Sequence, residues 1–376
     1  MNQIPISPGA TFEILRQQGL RPPKMLTISI TGACNLTCRH CWVEADTSSP
    51  TAHVPEPALR RLIQEYMVLG GEGVRITGGE PLSHPGWLDL LRFACETGFR
   101  TVAIQTNAIL IRDEHVAALK DLKCPGLSLQ ISLDGACAQT HDMVRGKDAF
   151  KKALEGIHRL TDGGLAPRIA IFFTEMRHNL EEIPALLELA DSLGIGSVAT
   201  GSLVLCGRAA KESLLAPPDP DQYMRLLKRY ETDPRFRVLY EKIGTTAPLE
   251  WQKGDAPRTE CCTFVENPYL TPGGRLYPCV LCHADGFAVN GVFDKGLAAA
   301  FTEGAPLWSS LLRTSHSRAG SIEECRECPG LSDCAGGCMG RAWGSCGDFL
   351  AADDRCELRR AIYQRKVSRQ TPEQNS

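Results

Sequence analysis

Cys34, Cys38 and Cys41 lie close together in the segment Ala33-Cys34-Asn35-Leu36-Thr37-Cys38-Arg39-His40-Cys41-Trp42. Their C-x3-C-x2-C spacing places three thiolates on one loop. Three thiolates can hold three irons of a [4Fe–4S] cube and leave the fourth iron open to a substrate or cofactor, whereas a four-cysteine arrangement closes it. Zinc is the competing reading. It needs a fourth ligand, and His40, adjacent to Cys41, is awkwardly placed to share one tetrahedral metal with it. A second set lies towards the C-terminus: Cys325, Cys328, Cys334 and Cys338 follow C-x2-C-x5-C-x3-C, with Cys356 beyond them and Cys261, Cys262 and Cys279 upstream. Knuckles of this kind suit iron–sulfur clusters or a zinc ribbon. Gly78-Gly79-Glu80-Pro81 adds a glycine pair that lets backbone approach a ligand closely, and a carboxylate able to accept from an ammonium group.

The chain holds 17 cysteines in 376 residues. Met1 to Leu20 lack the basic start and apolar stretch of a secretory signal, and no apolar run approaches the roughly 18 residues that span a bilayer. A cytoplasmic protein without a membrane anchor is therefore expected, and in that compartment thiol-reducing systems oppose a disulfide framework. Metal or cluster ligation is the better use for so many thiols. A net charge of −3, with 43% apolar and 23% charged residues, is that of an ordinary globular protein and gives no general attraction to nucleic acid or anionic membranes.

The elements that must position these residues follow from the hydrophobic pattern. Leu26–Ile30, Val74–Ile76, Thr101–Gln105, Ser128–Leu133, Arg168–Phe173 and Ser197–Leu203 are strand candidates rich in β-branched and aliphatic residues. Helix candidates alternate with them: Glu56–Leu69, with Pro57 early and Gly70-Gly71 at its end, and Asn179–Leu193, with Asn179 as its cap. Six βα units in succession imply a parallel sheet with helices outside, in either a partial barrel or an open doubly wound sheet. From about Ala209 to Glu260 the chain is charged and proline-containing, a bridging segment with a helix or two. From Cys261 to Cys356, ten cysteines and many glycines with few long periodic runs describe a small module organised by metal.

The three-cysteine loop after the first strand resembles the signature of the radical SAM superfamily, with His40 where an aromatic residue is usual. The likeness extends to Gly78-Gly79-Glu80-Pro81, which corresponds to the family segment contacting the amino group of S-adenosylmethionine, and to Thr106-Asn107, where Ala108 replaces a commoner glycine. Gln130-Ile131-Ser132-Leu133-Asp134-Gly135, followed by His141-Asp142 and Arg145-Gly146, is similar to the fourth-strand region of peptide-modifying members. The resemblance implies an α/β fold, a partial (β/α)6 barrel followed by a small Cys-rich iron–sulfur module. It also implies cofactor contacts at Gly78, Gly79, Glu80, Pro81, Asn107, Ser132, Asp134 and Arg145, although Asp134 and Arg145 equally suit a structural ion pair. The activity implied is reductive cleavage of S-adenosylmethionine to a 5′-deoxyadenosyl radical, which takes hydrogen from substrate.

The C-terminal cysteines resemble the SPASM extension of radical SAM enzymes. That resemblance implies one auxiliary [4Fe–4S] cluster on Cys325, Cys328, Cys334 and Cys356, and a second drawing on Cys279, Cys338 and one or both of Cys261 and Cys262. Adjacent Cys261 and Cys262 point differently along an extended chain, so the remaining ligand is open between them, Cys282, Cys346 and no protein ligand at all. The expected organisation is an extension over 1–24, a radical SAM core over 25–208, a bridge over 209–260, the auxiliary-cluster domain over 261–358 and a tail over 359–376. Cys95, Cys124, Cys137 and Cys206 are read as residues without chemistry. Trp42 shields the cluster, and nothing in their spacing sets His40, His53, His84 or His283 apart.

The leading expectation is an oxygen-sensitive maturase that oxidises or cross-links a residue of a peptide or small protein. Reduced ferredoxin or flavodoxin would donate the electron, and because little sequence precedes the first strand, a separate recognition protein would present the substrate. The runner-up, suggested by Cys334–Ala342 and Gly347-Asp348, is side-chain modification of a tetrapyrrole, as in haem d1 or alternative haem synthesis. A third reading, a non-enzymatic iron–sulfur electron carrier, would leave Gly78–Pro81 and Ser132–Gly135 without a role. No general base is identifiable from the sequence.

Overall fold

The computed structural model describes residues 8–45, 53–253, 260 and 262–370. Among the described residues nine strands follow one another: β1 (Met25–Ser29), β2 (Gly73–Thr77), β3 (Thr101–Thr106), β4 (Leu127–Ser132), β5 (Ile169–Glu175), β6 (Ser197–Ser202), β7 (Gly244–Thr245), β8 (Tyr269–Leu270) and β9 (Leu276–Tyr277). The first six fall on the six sequence candidates. Their alternate residues Leu26, Ile28, Val74, Ile76, Ile171 and Phe173 are all fully or almost fully buried, and each such side chain contributes roughly 1.5–3 kcal/mol on removal from water.

The chain forms two compact units, one of Met1–Thr37, Val43–Gln130 and Thr263–Thr314, the other of Cys38–Trp42, Ile131–Cys262 and Ser315–Ser376. In the first unit, β1 pairs parallel with β2 and with β8, β2 pairs parallel with β3, and β9 runs antiparallel to β8. Helix Glu56–Val68 buries Leu59, Leu62, Ile63 and Tyr66, and helix Trp87–Thr97 buries Trp87, Leu90, Leu91 and Ala94. The second helix ends where Gly98 adopts φ 98°, the left-handed stop that glycine tolerates.

In the second unit, β5 pairs parallel with β6 and β6 with β7. Helix Ala149–Asp162 follows β4, and helix Ile183–Ser192 follows β5. Asn179 does not cap the latter helix as expected. Its side-chain oxygen instead accepts from the Met176 amide at 2.7 Å, and its amide donates to Thr174 O at 2.8 Å and Asp134 O at 3.0 Å. Two acceptors across the loop compete successfully for a side chain that capping alone would have used.

Among its described residues the bridge after β6 contains three helices, Pro220–Thr232, Pro234–Ile243 and Ala247–Lys253. Asp219 and Asp233 cap the first two by accepting from Gln222 N and Phe236 N, and a proline opens each of them. The cysteine-rich region is more helical than its texture suggested, with a 30-residue helix, Val292–Ser321, broken at Gly296, and a terminal helix, Cys356–Gln370. Small residues such as Ala298, Ala299, Ala300 and Gly304 weaken the apolar periodicity of the long helix and hide it from pattern reading.

Candidate functional site

In the first unit the chain leaves β1 at the loop carrying Cys34, and leaves β2 at Gly78-Gly79. The Gly79 amide donates to Thr31 O at 2.7 Å and the Glu80 amide to Ala33 O at 2.8 Å. A Cβ at Gly78 would lie 2.7 Å from Thr31 O, and one at Gly79 only 2.3 Å from Ala33 O. The close approach these glycines permit is thus backbone against the cysteine loop. Glu80 is 1% exposed. Its carboxylate accepts from Leu82 N at 3.1 Å, Thr106 Oγ1 at 2.6 Å and Asn107 N at 2.8 Å, tying the ends of β2 and β3 together. Asn107 Nδ2 reaches Asn35 Oδ1 at 2.8 Å, and Ala108 takes the left-handed φ of 63° where the family favours glycine. The Leu36 amide points at Cys34 Sγ, 3.4 Å away.

In the second unit, Cys38 and Cys41 sit on a turn in which Cys41 N donates to Cys38 O at 3.2 Å and Arg39 N to Val144 O at 2.9 Å. Arg208 grips this turn through Nε to Cys38 O at 2.8 Å and its own amide to Cys41 O at 3.0 Å. Gly207, at φ 57°, leaves no room for a Cβ, which would lie 2.6 Å from Trp42 O. Burial raises the Cys38 thiol pKa, while the guanidiniums of Arg145 and Arg208 oppose that rise, as a thiolate ligand requires.

Asp134, fully buried, accepts from Arg145 Nε at 2.6 Å and from the Thr174 amide at 2.8 Å, with His40 Nε2 at 3.2 Å. Burial would raise its carboxyl, but Arg145 and His40 outweigh burial and hold it well below the usual range. His141 accepts from the Asp134 amide through Nδ1 at 3.0 Å, and burial followed by Arg145 pushes its pKa down to about 4. Ser132 ends β4, 9% exposed.

Farther along the second unit, Cys325, Cys328, Cys334 and Cys356 line one cavity, together with Ile322, Leu331, Arg359 and Tyr363. Burial and then the neighbouring Cys356, Cys334 and Cys328 push the Cys325 thiol up to about 11. A Cys325 thiol raised by three neighbouring thiols suits a cationic iron core, which relieves that repulsion on ionisation. Cys262 and Cys338 form a second association. Cys262 Sγ accepts from Met339 N at 3.3 Å, and a hydrogen bond with Cys262 brings the Cys338 thiol down to about 7 against the effect of burial.

Cys279 lies in the first unit, its sulfur accepting from Leu281 N at 3.4 Å, near the buried Cys282. Cys346 is exposed at the end of helix Met339–Cys346, and Cys261 lies outside the described residues. Among the described residues no three of His, Cys, Asp and Glu converge closely enough to grip a single metal ion. His53 meets Thr31 Oγ1 at 2.9 Å, His84 meets Val54 O at 2.9 Å, and His283 stacks between Tyr269 and Tyr277.

The sequence profile of the radical SAM superfamily matches residues 28–190. Fe-coproporphyrin III synthase of Methanosarcina barkeri (strain Fusaro) is 33% identical over 362 residues, covering 88% of this chain and 86% of that protein. The chain belongs to the radical SAM superfamily. The mycofactocin maturase MftC of Mycobacterium ulcerans (strain Agy99) is 28% identical over 324 residues, covering 86% of this chain and 85% of its own length. The solved structure of native anSMEcpe with bound AdoMet and peptide superposes with a TM-score of 0.71 at 16% identity, over 93% of this chain and 98% of that one, which shows the shared fold. This radical SAM protein is an enzyme whose cofactors are a [4Fe–4S] cluster and S-adenosylmethionine, with cysteines in number for auxiliary clusters. When bound, the cofactors supply the reducing electron and the carbon radical; the chain supplies the shape, charge and dryness around them.

Sequence reasoning missed Gly207 and Arg208, whose only local signal is a glycine shortly after β6. It also missed Arg341, which is 6% exposed, donates to Ser202 O at 3.2 Å and Leu203 O at 2.6 Å, and pairs with Asp354 at 2.6 Å. No helix among the described residues is long and apolar enough to cross a membrane.

Proposed function

We propose that this enzyme is a cytoplasmic maturase that oxidises or cross-links a residue of a ribosomally made peptide or small protein. The observation that carries the reading is the match to a maturase along 86% of the chain. In this reading Cys34, Cys38 and Cys41 would hold the catalytic cluster within a core over 25–208. Gly78, Gly79, Glu80, Pro81, Asn107, Ser132, Asp134 and Arg145 would surround S-adenosylmethionine. Glu80 would act mainly through the loop it fixes, since its carboxylate already serves three donors of the protein. Asp134 and Arg145 would keep His40 and the Cys38–Cys41 turn in place. Within a module over 261–358, Cys325, Cys328, Cys334 and Cys356 would hold one auxiliary cluster. Cys279, Cys338 and one or both of Cys261 and Cys262 would contribute to a second. A reduced ferredoxin or flavodoxin would supply the electron, and a separate protein would present the substrate.

The 33% identity to a tetrapyrrole enzyme favours a second reading, modification of a carboxylate side chain on a tetrapyrrole. One experiment separates the two. The protein is reconstituted anaerobically, reduced with S-adenosylmethionine present, and offered either peptides encoded beside its gene or an iron porphyrin bearing propionates. 5′-Deoxyadenosine from the wild type and none from the Cys34/Cys38/Cys41→Ala variant, with a peptide losing two hydrogens or gaining a cross-link, is the expected outcome. Decarboxylation of the porphyrin with the peptides unchanged would replace the first reading by the second.

A further inference from the structure

Arg359 projects from helix Cys356–Gln370 into the wall of the four-cysteine cavity and is 8% exposed. Its guanidinium is fixed from several sides. Nη2 donates to Asp353 Oδ1 at 2.5 Å, and the Trp251 ring centroid lies 5.6 Å from Cζ. Asp353 is itself pinned by the amides of Cys338 at 2.5 Å and Arg355 at 2.9 Å. Gly337, at φ 83°, leaves the space the guanidinium needs, because a Cβ there would lie 2.3 Å from Nη2. One buried donor atom stands without a partner: the Nε–H meets no hydrogen-bond acceptor among the described residues. A buried cation with a spare donor is costly unless something negative meets it. Burial opposes the charge of Arg359, but Asp353, Cys334 and Cys338 outweigh it and hold its pKa above the usual guanidinium range.

We infer that Arg359 is a positioning residue for the reduced state of the auxiliary cluster in this cavity: its fixed charge and spare Nε–H raise the reduction potential of the cluster on Cys325, Cys328, Cys334 and Cys356. The inference rests on the cluster assignment proposed above. The physical basis is that a thiolate-ligated iron–sulfur cube gains one negative charge on reduction, so a nearby cation and an N–H donor to sulfur favour the reduced form. Asp353 carries the same Arg359 ion pair to the Cys338 amide, so the pair connects the four-cysteine cavity to the Cys262–Cys338 association.

The test uses the full-length chain with Cys34, Cys38 and Cys41 replaced by Ala, reconstituted so that only auxiliary iron remains. Iron and sulfide analysis and a potentiometric titration followed by EPR are made on this protein and with added Arg359→Gln, Arg359→Lys or Cys325→Ala. The signal lost in Cys325→Ala identifies the cluster of this cavity. Arg359→Gln at full iron loading is expected to shift that signal's reduction equilibrium at least tenfold towards the oxidised form, about 59 mV for a one-electron couple. Arg359→Lys, which keeps the charge without the Nε–H, shifts less. An unchanged midpoint in a fully loaded Arg359→Gln protein overturns the inference. If Arg359→Gln fails to load, the shift in Arg359→Lys decides, and failure of both to load makes Arg359 a structural residue and overturns the tuning role. Full iron retention in Cys325→Ala with every EPR signal and midpoint unchanged overturns the cluster assignment itself.

Discussion

His141 has its ring buried, accepts a backbone amide at Nδ1, and stands beside the Arg145 guanidinium, so a second proton would remove an acceptor and add an unfavourable charge. Its folded pKa of about 4, against 6.5 for the free side chain, has a definite sign for stability. Above pH 6.5 neither state is protonated. As pH falls, the unfolded chain takes the proton first, so stability declines between 6.5 and 4 by on the order of 3 kcal/mol. His283, also held to about 4 by burial, adds a drop of the same sign. Asp134 adds nothing over that window, because its ionised form persists well below the unfolded value. Urea unfolding of the cluster-free protein at pH 6.5 and 4.5 is expected to show the decline, reduced by about half in His141→Asn; a flat profile would refute this account of the buried histidines.

The loop after β2 works because two glycines let it lie backbone to backbone against the loop after β1. Gly79→Ala would push a Cβ into Ala33 O with no flexible side chain to yield, so the Cys34 loop must move. Gly98 makes the contrast. At φ 98° its alanine variant bears conformational strain of about 1 kcal/mol but meets nothing within 4 Å. Gly98→Ala is expected to lose only that stability and keep 5′-deoxyadenosine formation, whereas Gly79→Ala should lose the product at least tenfold. Equal activities would show that the close approach has no bearing on the cofactor site.

At the scale of the second unit, residues distant in sequence are fastened by buried arginines. Arg341 ties the C-terminal cysteine segment to the end of β6, and Arg355 reaches Glu175 at the end of β5 at 3.4 Å while its Cζ lies 4.7 Å from the Trp251 ring. Glu175 is also met by Tyr223 at 2.5 Å and Thr246 at 2.8 Å, so the anchor is a shared one. Removing one partner of a buried pair leaves the other uncompensated. Arg341→Met should therefore cost about 3–5 kcal/mol in urea unfolding and raise amide exchange over residues 197–203. Unchanged exchange there would show that Arg341 is dispensable to the strand end.

The sequence by itself determined the six core strands, the alternating helices and the two cysteine groups. Each rests on a local signal: a short run of β-branched residues long enough to bury, a glycine pair, or a fixed cysteine spacing. It also placed Cys325, Cys328, Cys334 and Cys356 together through resemblance, and the fold lines one cavity with them. Only the tertiary structure decided which polar groups meet. Glu80 serves Thr106 and Asn107, Asn179 turns from capping to bracing, Arg208 holds a turn 170 positions away, and Arg359, its Nε–H without a partner among the described residues, lines the four-cysteine cavity. A buried hydrogen bond needs its partner only within about 3 Å in space, and the intervening chain carries no periodicity or spacing that records the meeting.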